Sequence, residues 1–144
     1  MRTNQTKYTM KNAIIFGLII GVLSVIWMFI MKSLGLSPQA SGLEPAEYAS
    51  VLIPLVVLYF GIRSYRTNEC GGKMGFFEAL MQCFKILIVG GIISVAASII
   101  FIDEFAKEAT LKDFSGRIFG ALLVGLLFSL AVSVLFTTKP NKLD

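Results

Sequence analysis

The chain contains no histidine and only two cysteines, Cys70 and Cys83. Without imidazole, the usual Ser-His and Cys-His nucleophile pairs cannot be built, and a metal site has few of its ordinary nitrogen and sulfur ligands to draw on. Charge is scarce as well: 15% of the residues ionise, against about a quarter in an average soluble domain. The glycines follow no phosphate-loop pattern, and most of the carboxylates fall in segments that read as solvated loops. Enzymatic activity, a cofactor and a nucleic-acid partner are therefore not expected.

Apolar residues are plentiful, making up 56% of the 144-residue chain, and the mean hydropathy is +0.78. The charges fall in clusters, separated by apolar runs long enough to span a membrane. A bilayer core of ~30 Å needs about 20 helical residues, fewer where long basic side chains snorkel at the ends. Four runs qualify: Asn12 to Met31, Tyr48 to Ile62, Ile86 to Ile102 and Ile118 to Thr138. A membrane barrel would alternate over ~10-residue segments, whereas these runs are apolar on every face. The expectation is an all-α membrane protein, one domain over residues 1–144, with four transmembrane helices near 12–32, 45–65, 75–102 and 117–138. The first run is too long for a signal-peptide core and no convincing cleavage site follows it, so it reads as a retained signal anchor.

Lysine and arginine set the expected orientation. Arg2, Lys7, Lys11, Arg63, Arg66, Lys73, Lys85, Lys139 and Lys142 belong to one side, and Lys32, Lys107, Lys112 and Arg117 to the other. This bias places both termini and the middle loop in the cytoplasm, with the chain a multi-pass membrane protein. Cys70 lies in that middle loop and Cys83 near the inner end of helix three, where the reducing side disfavours a disulfide.

Residues 1–10 read as a basic tail, frayed or lying on the lipid surface. The outer loop near 33–44 reads as irregular, and Asp103 to Glu108 as a short surface helix. Pro45 opens helix two and Pro54 should kink it. After the turn signal Cys70-Gly71-Gly72 comes an expected interfacial amphipathic segment before helix three. Its apolar face is Phe76, Phe77, Leu80, Phe84 and Leu87, and its polar face Glu78, Gln82 and Lys85. Those three polar residues are the candidate functional site. Lys85 lies some 10 Å along the helix from Glu78, so Gln82 and Arg63 or Arg66 are the expected partners of the carboxylate.

Small residues recur at helical spacing in three of the four runs: Ala13, Gly17, Gly21 and Ser24, then Gly90, Ser94 and Ser98, then Ala121, Gly125, Ser129 and Ser133. Such stripes let helix backbones approach closely in lipid. Gly17, Gly21, Gly90, Ser94, Ala121, Gly125 and Ser129 are accordingly the expected helix-packing residues. Gly21-Val22-Leu23-Ser24-Val25 also matches Gly91-Ile92-Ile93-Ser94-Val95 at an offset of 70, a hint of duplicated hairpins that helices two and four do not repeat.

The stretch Gly61-Ile62-Arg63-Ser64-Tyr65-Arg66, followed by Gly71-Gly72-Lys73-Met74-Gly75-Phe76-Phe77-Glu78-Ala79-Leu80, resembles the middle of the domain-of-unknown-function 4199 family. There a helix ends in basic residues, a glycine turn follows, and a Phe-x-x-Ala segment enters the third helix. Lys11 to Gly21 is similar to that family's first helix. The resemblance implies a Bacteroidetes-type bacterial membrane protein and brings no activity or site residues with it. The expected role is that of a structural or accessory protein acting through helix packing, with the lipid bilayer and a second copy or another membrane protein as partners. The alternative is a small transporter or channel protomer active as an oligomer.

Overall fold

The computed structural model describes residues 2–35, 45–105 and 111–137. Four helices account for nearly all of them: α1 (Arg2–Ser33), α2 (Pro45–Asn68), α3 (Phe76–Phe105) and α4 (Leu111–Phe136). Each contains a stretch long and apolar enough to cross a membrane, and no more than 28% of any such stretch is buried inside the protein. The remaining apolar surface, including Leu18, Val22, Ile92, Leu122 and Val134, points outward. Water would not tolerate so much, and a bilayer requires it. The chain is a multi-pass membrane protein.

Two helices begin earlier than hydropathy predicts. α1 starts at Arg2 rather than Asn12, because residues 2–11 contain neither proline nor glycine and extending an existing helix is cheap. At 1.5 Å per residue its 32 residues reach about 48 Å, well beyond a ~30 Å apolar core. α4 starts at Leu111 rather than 117, and α2 runs on through Pro54. The expected surface helix over 103–108 overlaps the last turn of α3. Its remainder, like most of the irregular loop near 33–44 and the basic residues Lys107, Lys139 and Lys142, lies outside the described residues.

Around the bundle the helices follow the order α1, α2, α4, α3, with α2 and α3 also touching across the short diagonal. α1 and α3 share the most extensive contact, and glycine makes it. A Cβ built on Gly17 would lie 2.5 Å from Val89 Cβ and 3.1 Å from the Gly90 nitrogen; one on Gly21 would collide with Ile93. From the other side, a Cβ on Gly90 would stand 2.9 Å from Ile20 Cγ2 and 3.2 Å from the Gly17 oxygen. Ser94 is half-buried on the same helix. α2 joins through Gly61, whose missing side chain leaves room for Phe16 and Ile86, with Cβ distances of 3.0 and 3.1 Å. The interior is completed by Ala13, Ile20, Val57, Leu58, Ile62, Ala79, Cys83, Ile86 and Val132.

The α4 stripe is only partly used. Ser129 and Ser133 are buried and Gly125 is half-buried against Leu87, but Ala121 is exposed. The expectation that Ala121 packs against a neighbour is corrected: its side chain is exposed, and the stripe meets the bundle from Gly125 on.

Residues 76–85, expected as an amphipathic segment running straight into helix three, form the first turns of α3 itself. The expected faces are turned about. Phe77 is 78% exposed, while Gln82, assigned to the polar surface, is 1% exposed and points into the bundle. In lipid the apolar side faces out and the amide seeks the interior.

These geometries rank the glycines. Gly17→Leu and Gly21→Leu force apart atoms already in contact and should each cost at least the ~1–3 kcal/mol of overpacking. Gly125→Leu meets only the flexible tip of Leu87, 3.3 Å away, and should cost clearly less. Melting temperatures in one detergent would read the order; equal losses at all three positions would refute the seam.

Candidate functional site

Asn12, Tyr65, Cys70, Glu78, Gln82 and Ser133 gather at one end of the bundle, near the start of the first span, the end of α2, the start of α3 and the end of α4. The turn between α2 and α3 is shaped by Gly71 and Gly72, whose φ values of 60° and 85° lie in the left-handed region that glycine alone adopts freely. Gly72 N–H donates to Arg66 O at 2.9 Å, and the Arg66 Nε–H donates to Gly72 O at 2.9 Å. The chain thus reverses tightly, and Ala79 N–H donating to Gly75 O at 3.0 Å starts α3.

This reversal brings Glu78 back over the end of α2. Its Oε1 accepts from the hydroxyl of buried Tyr65 and from the thiol of Cys70, each at 3.3 Å. The tyrosine bond is long for an O–H donor. The expected partners of Glu78, Gln82 and Arg63 or Arg66, are replaced by two neutral donors, because the turn folds residues 65 and 70 onto the carboxylate and i+4 spacing along α3 does not. Burial, with the Glu78 hydrogen bond and charge adding to it, pushes the Cys70 thiol up from 9.0 to about 11.

Gln82 turns the other way. Its Nε2 donates to Asn12 Oδ1 of α1 at 2.9 Å, an amide pair tying the start of the first span to α3. Asn12 escaped the sequence reading because it stands at the lip of an apolar run; the signal was a lone amide at the edge of a span. On the next residue of α3, the Cys83 thiol lies 4.0 Å from the Ser133 hydroxyl of α4. Ser129 and Ser133 each donate to the carbonyl four residues back, as serines inside membrane helices commonly do. Cys70 and Cys83 are both free thiols.

The three candidate residues therefore do not converge. Glu78 closes the α2–α3 turn and Gln82 bonds α1. Lys85 is half-buried with no hydrogen-bond or ion-pair partner among the described residues. No group of three or more His, Cys, Asp or Glu side chains is placed to hold a metal ion among the described residues. Gly61 was also missed, since a single glycine makes no stripe.

Residues 15–111 match the family described as Protein of unknown function (DUF4199). No curated protein and no solved structure matches the chain.

A thiol held near 11 carries about a hundredfold less thiolate at neutral pH than one at 9.0. In a Cys83→Ala background, maleimide reaction at Cys70 should rise about tenfold per pH unit from 7 to 9 without levelling. Glu78→Gln, which removes the neighbouring charge, should speed it at every pH. A plateau below pH 9 would contradict the arrangement. The same substitution should cost less than ~1 kcal/mol of stability, as for an exposed polar contact.

Proposed function

The chain belongs to the DUF4199 family, whose description assigns no activity, and from that premise we propose that it is an accessory protein of the bacterial cytoplasmic membrane, working by helix packing with a membrane partner. The observation that carries this is the closed α1–α3 seam. Gly17, Gly21 and Gly90 bring two backbones together at the depth where a permeation path would run, and Asn12, Tyr65, Glu78 and Gln82 sit at one end of the bundle with partners inside it. A solute crossing the bilayer needs polar groups near the midplane, and the hydroxyls of Ser98 and Ser129 within the spans are each bonded to a carbonyl of their own helix.

Both termini lie on the cytoplasmic side in this proposal. The supporting facts are that the ends of α1, α2 and α4 meet the start of α3 through Asn12–Gln82, Tyr65–Glu78 and Cys83–Ser133, and that Lys7, Lys11, Arg63, Arg66, Lys73 and Lys85 belong to these segments. Basic residues are retained on the inner side during insertion.

Affinity capture of the chain from membranes in mild detergent tests the role. A stoichiometric complex with a different membrane protein is the expected result. A closed homo-oligomer that conducts ions or solutes in liposomes would replace the accessory reading with that of a transport protomer. Orientation is read separately in a cysteine-free background, where Lys73→Cys should resist a membrane-impermeant thiol reagent in intact cells and Ala40→Cys should react. The reverse pattern would invert the topology.

A further inference from the structure

Lys85 stands in an unusual place. It is the tenth residue of α3, inside the stretch Phe76–Ile100 that is apolar enough to cross the membrane. On the helix surface, Met81, Lys85, Ile88 and Ile92 follow one another at spacings of four, three and four, a single stripe. The three apolar members are 56%, 59% and 66% exposed, so the stripe faces lipid. Phe77, 78% exposed, lies eight residues nearer the helix start, about 12 Å away along the axis. The stripe itself continues outward through Met81 to exposed Glu78, so the ammonium emerges about 10 Å below the level of that carboxylate. The same side chain flanks the α1–α3 seam: Gln82, bonded to Asn12, precedes it by three residues, and Val89, seated on Gly17, follows by four.

An ammonium in hydrocarbon requires an anionic partner or water. Lys85 finds no partner among the described residues, and Glu78, the nearest carboxylate along α3, is engaged by Tyr65 and Cys70. We infer that Lys85 seats the phosphate of an anionic phospholipid, drawn down beside the α1–α3 seam, with an acyl chain lying along Ile88 and Ile92. The stripe supplies what an amphiphile with one negative group and a long apolar tail recognises: a single cation at the head of an exposed aliphatic track. This inference needs only that the bundle be embedded in a bilayer, so it stands or falls apart from the accessory role.

Native mass spectrometry of the detergent-solubilised protein, offered equal amounts of phosphatidylglycerol and phosphatidylcholine, tests it. The wild type should retain phosphatidylglycerol about fivefold more, the ratio that one basic side chain at an anionic lipid confers. Lys85→Gln should lose that preference, Lys85→Arg should keep it, and Lys73→Gln, in the exposed turn, should leave it unchanged. An unaltered preference in Lys85→Gln would overturn the assignment. A photoreactive side chain installed at Ile88 gives a reading in membranes that does not depend on the Lys85 variants folding. Lipid adducts are expected, and a polypeptide adduct would show instead that a protein partner covers the stripe.

Discussion

Everything else in this bundle rests on how closely α1 and α3 approach. In lipid, association gains little from the hydrophobic effect, because a helix that leaves its partner exchanges one apolar surface for another. What holds two helices together is dispersion, which falls away steeply with a gap of even ~1 Å. Gly17 and Gly21 let Val89 and Ile93 reach the backbone of α1, and Gly90 returns the arrangement by admitting Ile20. The other helices dock on this pair. α2 enters over Gly61, which receives Phe16 from α1 and Ile86 from α3 together, so its seat exists only where those two helices already meet. α4 leans on Leu87 through Gly125 and on Cys83 through Ser133.

Close packing alone does not fix which residues meet. The α1 glycines are four apart, and so are Val89 and Ile93 that fill them. A slip of one turn would still leave one valine or isoleucine over one glycine, at the loss of only part of the contact. The amide pair removes that freedom. Asn12 and Gln82 bond in one register, and a slip of ~6 Å would leave Gln82 buried in hydrocarbon with its bond broken. Such a bond contributes only ~1 kcal/mol in membranes, yet it discriminates against the slipped state through the cost of an unmet amide, as single polar residues set register in coiled coils.

How much was readable in advance follows from these interactions. Charge-free runs identified the four helices because the bilayer imposes a length. Hydropathy misjudged the ends of α1 and α4 because it measures membrane depth, and a helix does not stop at the headgroups. Gly17, Gly21 and Gly90 were legible from their spacing. Ala121 had the same spacing and is exposed, since a stripe records what a helix permits and its partner's position decides what is used. Gly61 had no stripe and still makes the close contact of α2 with Phe16 and Ile86. The polar face assigned to Glu78, Gln82 and Lys85 failed because the three point to different neighbours: a turn, another helix and the lipid. The partners of Glu78 depend on two glycines with positive φ, and one-dimensional spacing carries no trace of the reversal they allow.

The same seam accounts for the sequence match at an offset of 70. Asn12 meets Gln82 and Met28 meets Ser98 at that separation, and Ile20 meets Gly90, again 90 − 20 = 70. The offset is therefore the register of two parallel helices in contact, sampled at three levels eight residues apart. Residues at equal depth in one bilayer and on one interface face the same demand for small or β-branched side chains, so their letters drift toward agreement without descent from a common hairpin. The matched glycines differ in use. Gly21 is buried beneath Ile93, whereas a Cβ on Gly91 would meet nothing within 4 Å. If α3 had kept the role of a copied α1, Gly91 would carry the contact, but Gly90, one residue earlier and turned by ~100° around the helix, carries it instead. Packing on a shared face explains both the agreement in letters and the disagreement in environment, and duplication explains only the first.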